Sequence, residues 1–153
     1  IIQFANQLLP KSDRLLTSLQ QNGDEPTVEP ALQRDLVART VASAEIALDA
    51  HEGGTVAVIA IAPDDVRVAL RKKGWISPQS VKTLTREGRT LSVLHPDDAR
   101  GLEFDAVVVV EPSSFTPNVG RHGQLYTALT RANRSLYVVH SSPLPDELRR
   151  RRR

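Results

Sequence analysis

Cysteine and methionine are both absent from the 153 residues, and aromatics are scarce, with one tryptophan, two tyrosines and three phenylalanines. Without cysteine there are no disulfides and no thiolate metal sites, a composition that suits a reducing cytosol and points to a cytoplasmic protein. No apolar run approaches the length of a membrane span, and no signal-peptide pattern opens the chain. No glycine is followed by lysine, which excludes the G-x-x-x-x-G-K-[ST] loop that cradles phosphates. A G-x-S-x-G nucleophile elbow is also missing. The four histidines, His51, His95, His122 and His140, have neither H-E-x-x-H spacing nor cysteine partners, so no metal site is expected.

What remains is the composition of one globular domain, 40% hydrophobic and 25% charged. The formal charge of +2 misleads, because five arginines lie in the run 149–153; the rest carries 15 basic against 18 acidic residues. The body is mildly acidic, and the terminal run reads as a solvated or disordered tail beyond a domain spanning 1–148. The chain opens on "IIQFANQLL", a helical pattern already under way with no capping residue before it. Together with the missing methionine, this leads to the expectation that the sequence is part of a longer protein.

Apolar spacing predicts an opening helix that stops at Pro10, then a loose connector with an Asn22–Gly23 turn and prolines at 26 and 30. Leu32, Leu36, Val37, Val41, Ala44 and Leu48 predict a helix over 32–50. "TVAVIAIA" (55–62) reads as a strand covered on both faces, and "PDDVRVALRKKG" as a helix opened by Pro63 and two aspartates. A weaker stretch at 81–86 precedes strands at 90–95, 103–111 and 135–140, with a helix over 123–133 before the last of them. Alternating strands and helices predict an α/β fold with a mostly parallel sheet, whose ligands are expected beyond the carboxyl ends of the strands.

Few residues carry chemistry. Glu111 ends an apolar strand as a magnesium-binding acid would, but without a phosphate loop it reads as a polar strand end. Gly101 permits a turn with positive φ, and Glu103 stands where it can accept hydrogen bonds from sugar hydroxyls; a plain turn with a solvated acid is the alternative. In the predicted 123–133 helix, Leu125, Ala128, Leu129 and Ala132 form a buried stripe, and Thr127, Arg131 and Arg134 a polar stripe beside it. A rigidly held arginine suits a transferring phosphoryl group, although a single helical arginine is ordinarily solvated.

Taken together, "ARGLEFDAVVVV" and "LYTALTRANRSLYVV" resemble motifs V and VI of UvrD/Rep-type superfamily-one helicases, in order, separation and intervening strand. The resemblance covers essentially the whole chain as a second RecA-like domain, a three-layer sandwich of the P-loop NTPase type without a Walker A motif of its own. Residues 1–10 are similar to the helix after motif IV, whose arginine would lie upstream of Ile1. The resemblance implies that Arg131 is the arginine finger reaching the γ-phosphate of ATP, that Glu103 lies near the ribose, and that Gly101 shapes its loop. It also implies that Tyr126, Thr127 and Thr130 support the motif VI helix, and that ATP and Mg2+ are held mainly by a first RecA-like domain.

The Thr-x-His that contacts single-stranded DNA in translocating members is replaced here by His95, Pro96 and Asp97. An acid at a DNA-facing position repels phosphate. The wording "DDARGLEFDAVVVVEP" and "LYTALTRANRSLYVVHSSPLPDEL" is more similar to HelD-type ATPases, which bind and recycle RNA polymerase. That resemblance makes RNA polymerase the expected partner. A DNA translocase or helicase is the alternative, and a non-catalytic interaction module a third.

Overall fold

The computed structural model describes residues 1–7, 25–116 and 123–149. The expected Asn22–Gly23 turn, the helix stop at Pro10, His122 and most of the arginine run lie outside them. Among the described residues six strands form one sheet: β1 (Thr27–Pro30), β2 (Val56–Ile59), β3 (Thr83–Arg86), β4 (Arg89–Leu94), β5 (Phe104–Val110) and β6 (Ala132–His140). Their order is β1-β6-β5-β2-β4-β3, and every neighbouring pair is parallel except the β3–β4 hairpin. The helices are α1 (Ile2–Asn6), α2 (Leu36–Ala50), α3 (Pro63–Lys72), α4 (Gln124–Leu129) and α5 (Asp146–Arg149).

The valine run of β5 explains the layering. Side chains alternate along a strand, so Val107 and Val109 pack on one face with Ile59, Leu125 and Leu129, among others. Ala106, Val108 and Val110 pack on the other with Val41, Ala44, Val66 and Leu70. Both faces are therefore dry, and the strand needs no polar side. This is the expected α/β fold, a mostly parallel sheet between two helical layers.

Element boundaries differ from expectation where backbone pairing overrides pattern. Leu32 is 58% exposed and precedes a 3-10 turn at Gln33–Asp35, so α2 begins at Leu36. Pro63 and two first-turn aspartates open α3 as expected, and Arg71 and Lys72 close it. The "TVEP" segment, expected as connector, is the edge strand β1, running beside Tyr137–His140. An edge strand tolerates Pro30 and needs no apolar alternation. The weak stretch at 81–86 becomes β3, at the opposite edge, with Leu84 as its buried residue.

At the far end of α2, Arg89 of β4 pairs with Asp49 at 2.8 Å and Glu52 at 3.4 Å. The hydrogen bond to Asp49 is the main reason its guanidinium pKa is raised above the ordinary value. No described helix is long and apolar enough to cross a membrane.

Leu91 has no exposed surface and packs beneath α2 and α3. Leu91→Ala is expected to cost about 2–5 kcal/mol, read as a lower denaturation midpoint. Ile46→Ala, at a site 57% exposed, is expected to stay within about 0.5 kcal/mol.

Candidate functional site

Helix α4 ends earlier than its apolar pattern suggests. The Phe104 amide donates to the Arg131 carbonyl at 2.9 Å, and Ala132 registers opposite Phe104. The sheet thus takes over the backbone at 131–132, and a helix continuing to 133 would forfeit that pairing. Arg131 consequently stands in a turn, and Arg134 is exposed on β6. Thr127 is buried at 6% exposure, so the predicted polar helical stripe of Thr127, Arg131 and Arg134 does not exist. The apolar set Leu125, Ala128, Leu129 and Ala132 is buried throughout, its last member being a strand residue.

The end of α4 is capped by side chains. Thr130 Oγ1 donates to the Tyr126 carbonyl at 2.9 Å, with the Thr127 carbonyl at 3.1 Å. Arg131 Nε donates to the Thr127 carbonyl at 2.9 Å, Nη1 to the Leu102 carbonyl at 3.2 Å and Nη2 to Thr130 Oγ1 at 3.1 Å. Carbonyls at a helix end lack intrahelical partners, and a cation there is favoured. Tyr126 is buried and its hydroxyl reaches Asn6 Oδ1 at 3.5 Å, joining α4 to α1.

The second candidate segment meets the first. Gly101 adopts φ +79, the left-handed region foreseen for it, and turns the chain after the 3-10 turn Pro96–Ala99. Glu103 is exposed, and Asn133 Nδ2 donates to its Oε1 at 3.4 Å. Loop 101–103 and turn 130–133 therefore lie side by side. The loop immediately precedes β5 and residues 130–133 span the entry into β6, so Gly101, Glu103 and Arg131 gather at the amino ends of the parallel strands. The general expectation of a ligand site at the carboxyl ends does not describe them, because both motifs are carried by segments entering strands.

The carboxyl edge is built differently. His95 Nδ1 accepts from the Asp97 amide at 3.1 Å, and Gln124 Nε2 donates to Asp97 Oδ1 at 3.4 Å. Gln124 Oε1 in turn accepts from the Thr116 amide at 2.9 Å. Glu111, expected as a polar strand end, sits at φ +54, a costly conformation for a residue with a side chain. Its Oε1 accepts from the Ser141 and Ser142 amides at 2.9 and 3.0 Å, and its Oε2 from Ser141 Oγ. The carboxylate thus latches the end of β5 to the loop after β6. Among the described residues no group of three or more histidines or acids is arranged to hold a metal ion.

Three residues with evident structural roles escaped sequence reasoning: Asn133, Gln124 and Leu102. Leu102 acts through its carbonyl, which leaves no trace in side-chain identity. Asn133 and Gln124 matter through Glu103 and Asp97, partners remote in sequence.

Residues 96–139, spanning both candidate segments, match the family model of the UvrD-like helicase C-terminal domain. The fold as a whole has a solved counterpart. It superposes on the C-terminal domain of a possible DNA helicase from Lactobacillus plantarum WCFS1 with a TM-score of 0.69 and 24% identity, over 97% of this chain and 88% of that one. The large terminase of a thermophilic bacteriophage is a more distant likeness, with a TM-score of 0.50 and 9% identity over 90% of this chain and 38% of that one. No curated protein matches the sequence.

Gly101→Ala is expected to cost about 1 kcal/mol from backbone strain alone, since an added Cβ meets nothing within 4 Å; the thermal midpoint reads it. Glu111→Ala, which leaves the Ser141 and Ser142 donors unmet, is expected to destabilise by about 2 kcal/mol, and Glu111→Gln by under about 1 kcal/mol.

Proposed function

We propose that this chain is the second motor domain of a helicase-like ATPase, lending Arg131 and the Gly101–Glu103 loop to a composite ATP site. Its partner in that site is a first RecA-like domain of the same protein, which carries the phosphate loop. The observation that carries the reading is the meeting of Arg131 with loop 101–103 at the amino ends of β5 and β6, inside the segment that matches the helicase family model.

The chemistry follows from what the residues offer. An arginine is permanently charged and presents a planar fork of donors, which suits the charge spread over a transferring phosphoryl group. Arg131 is half-buried and held at the end of α4, so its approach is limited to a narrow set of angles. Charge organised beforehand in this way stabilises the transition state without reorganisation during the reaction. Glu103, exposed and oriented by Asn133, is placed to accept hydrogen bonds from ribose hydroxyls. Mg2+ would neutralise phosphate charge, held mainly by the first motor domain beside the phosphate loop, as the family resemblance implies. Domain closure around ATP would drive the mechanical output.

RNA polymerase is the proposed target of that motion. The support is the similarity of residues 97–112 and 125–148 to HelD-type ATPases; the exposed Asp97 and Asp98 and the acidic balance of the body weigh only against a nucleic-acid partner. Phosphate backbones are repelled by such a surface. The helicase wording of the family match favours a second reading, a translocase on single-stranded DNA.

In the full-length protein, Arg131→Ala is expected to lower ATP turnover by about 10³-fold or more, with ATP binding largely retained; unchanged turnover would discard the finger assignment. Co-sedimentation of the full-length protein with purified RNA polymerase is expected. Absence of that complex, together with strong salt-dependent single-strand binding and unwinding, would establish the translocase instead.

A further inference from the structure

The three nitrogens of Arg131 already have partners before any nucleotide arrives. Nε is taken by the Thr127 carbonyl, Nη2 by Thr130 Oγ1, and Nη1 by the carbonyl of Leu102. The first two partners belong to the end of α4 and its cap. The third lies in the other candidate segment, between Gly101 and Glu103. A guanidinium carries five N–H donors, and this one commits three of them to its own chain.

Loop 101–103 has few other fastenings. Leu102 is 44% exposed, and its amide bonds locally to the Ala99 carbonyl at 3.1 Å. Gly101 is exposed at φ +79, with nothing within 4 Å of where a Cβ would stand. The cross-links to turn 130–133 are the Arg131–Leu102 bond, the Asn133–Glu103 bond at 3.4 Å and the backbone bond from Phe104 to Arg131. Of the side-chain links, the one from Arg131 is charge-assisted on a backbone carbonyl and the shorter.

We infer that Arg131 has a second, nucleotide-independent role: it is the clasp that positions loop 101–103, and it keeps one N–H on each terminal nitrogen with which to meet a phosphate while the clasp is closed. The extension to phosphate rests on the finger assignment made above. Nη1 gives one N–H to the Leu102 carbonyl and has a second for a γ-phosphate oxygen. Arrival of the γ-phosphate therefore fixes the guanidinium further and, through it, the peptide between Leu102 and Glu103. The two nucleotide-contacting segments are thereby coupled through one guanidinium. Thr127 and Thr130 anchor the side chain at its root, so the remaining donors keep a fixed direction.

The test is amide hydrogen exchange at Leu102 and Phe104 in the full-length protein. Without nucleotide, Arg131→Ala is expected to accelerate both amides about tenfold, and Arg131→Lys to restore little, because an ammonium lacks the fork that spans three acceptors. In the wild type the rates are expected to differ between the ADP-bound protein and the protein with a non-hydrolysable ATP analogue. That difference is expected to vanish in Arg131→Ala. Should Arg131→Ala fail to fold, Thr130→Ala removes one of the three acceptors and is expected to accelerate the same amides about two- to threefold.

Unchanged exchange in a folded nucleotide-free Arg131→Ala protein overturns the clasp, whatever its ATPase rate. Faster exchange with identical wild-type rates in the two nucleotide states overturns the coupling of the loop to the nucleotide. Faster exchange with unaltered ATP turnover removes the finger assignment and the coupling together, leaving a structural clasp.

Discussion

Where Phe104 donates its amide to the Arg131 carbonyl, helix α4 has to stop and strand β6 has to begin, and the rest of the domain is arranged around that junction. Parallel strands make evenly spaced ladders, and beyond a one-residue register shift between Phe104 and Ala106 this one continues with Val107 opposite Leu136 and Val109 opposite Val138. The Phe104–Arg131 bond stands apart from these rungs, at the entry to both strands. It also truncates α4 to six residues, exposing carbonyls that Thr130 and Arg131 satisfy. A charge that looks inconvenient beside an apolar stripe is thereby given a structural reason to be there.

The same junction divides the molecule into two working edges. At the amino edge, loop 101–103 and turn 130–133 are brought within hydrogen-bonding distance because β5 and β6 are neighbours. At the carboxyl edge, Glu111 holds an unfavourable backbone conformation against three hydrogen bonds from residues 141 and 142. Backbone strain of this kind persists only where the surroundings over-determine it. Two buried hydrophobic layers on either face of β5 keep both edges in fixed relation, since neither face is free to shift over water.

Parts of this are legible in the residues. The unbroken valines of β5 announce a strand dry on both faces, and Pro63 followed by two aspartates announces the start of α3. Gly101 is recognisable as a positive-φ turn. β1 is not legible, because "TVEP" at a sheet edge needs only backbone pairing and carries no periodic signal. The end of α4 misleads for a related reason: the apolar spacing continues through Ala132, but that residue is buried by a strand instead of a helix.

With Leu32 and Thr127 as exceptions, the sequence by itself determined its buried apolar set, the local turns it permits and the charges available, because these follow from nearest neighbours and transfer to apolar surroundings. The tertiary structure alone decided that Arg131 meets the Leu102 carbonyl, that Asn133 meets Glu103, and that both lie at the amino ends of the strands. Those contacts join positions 29 and 30 residues apart, and one of the groups involved is a backbone carbonyl, identical in every residue. Only strand order, settled by the collective packing of both faces, brings them together.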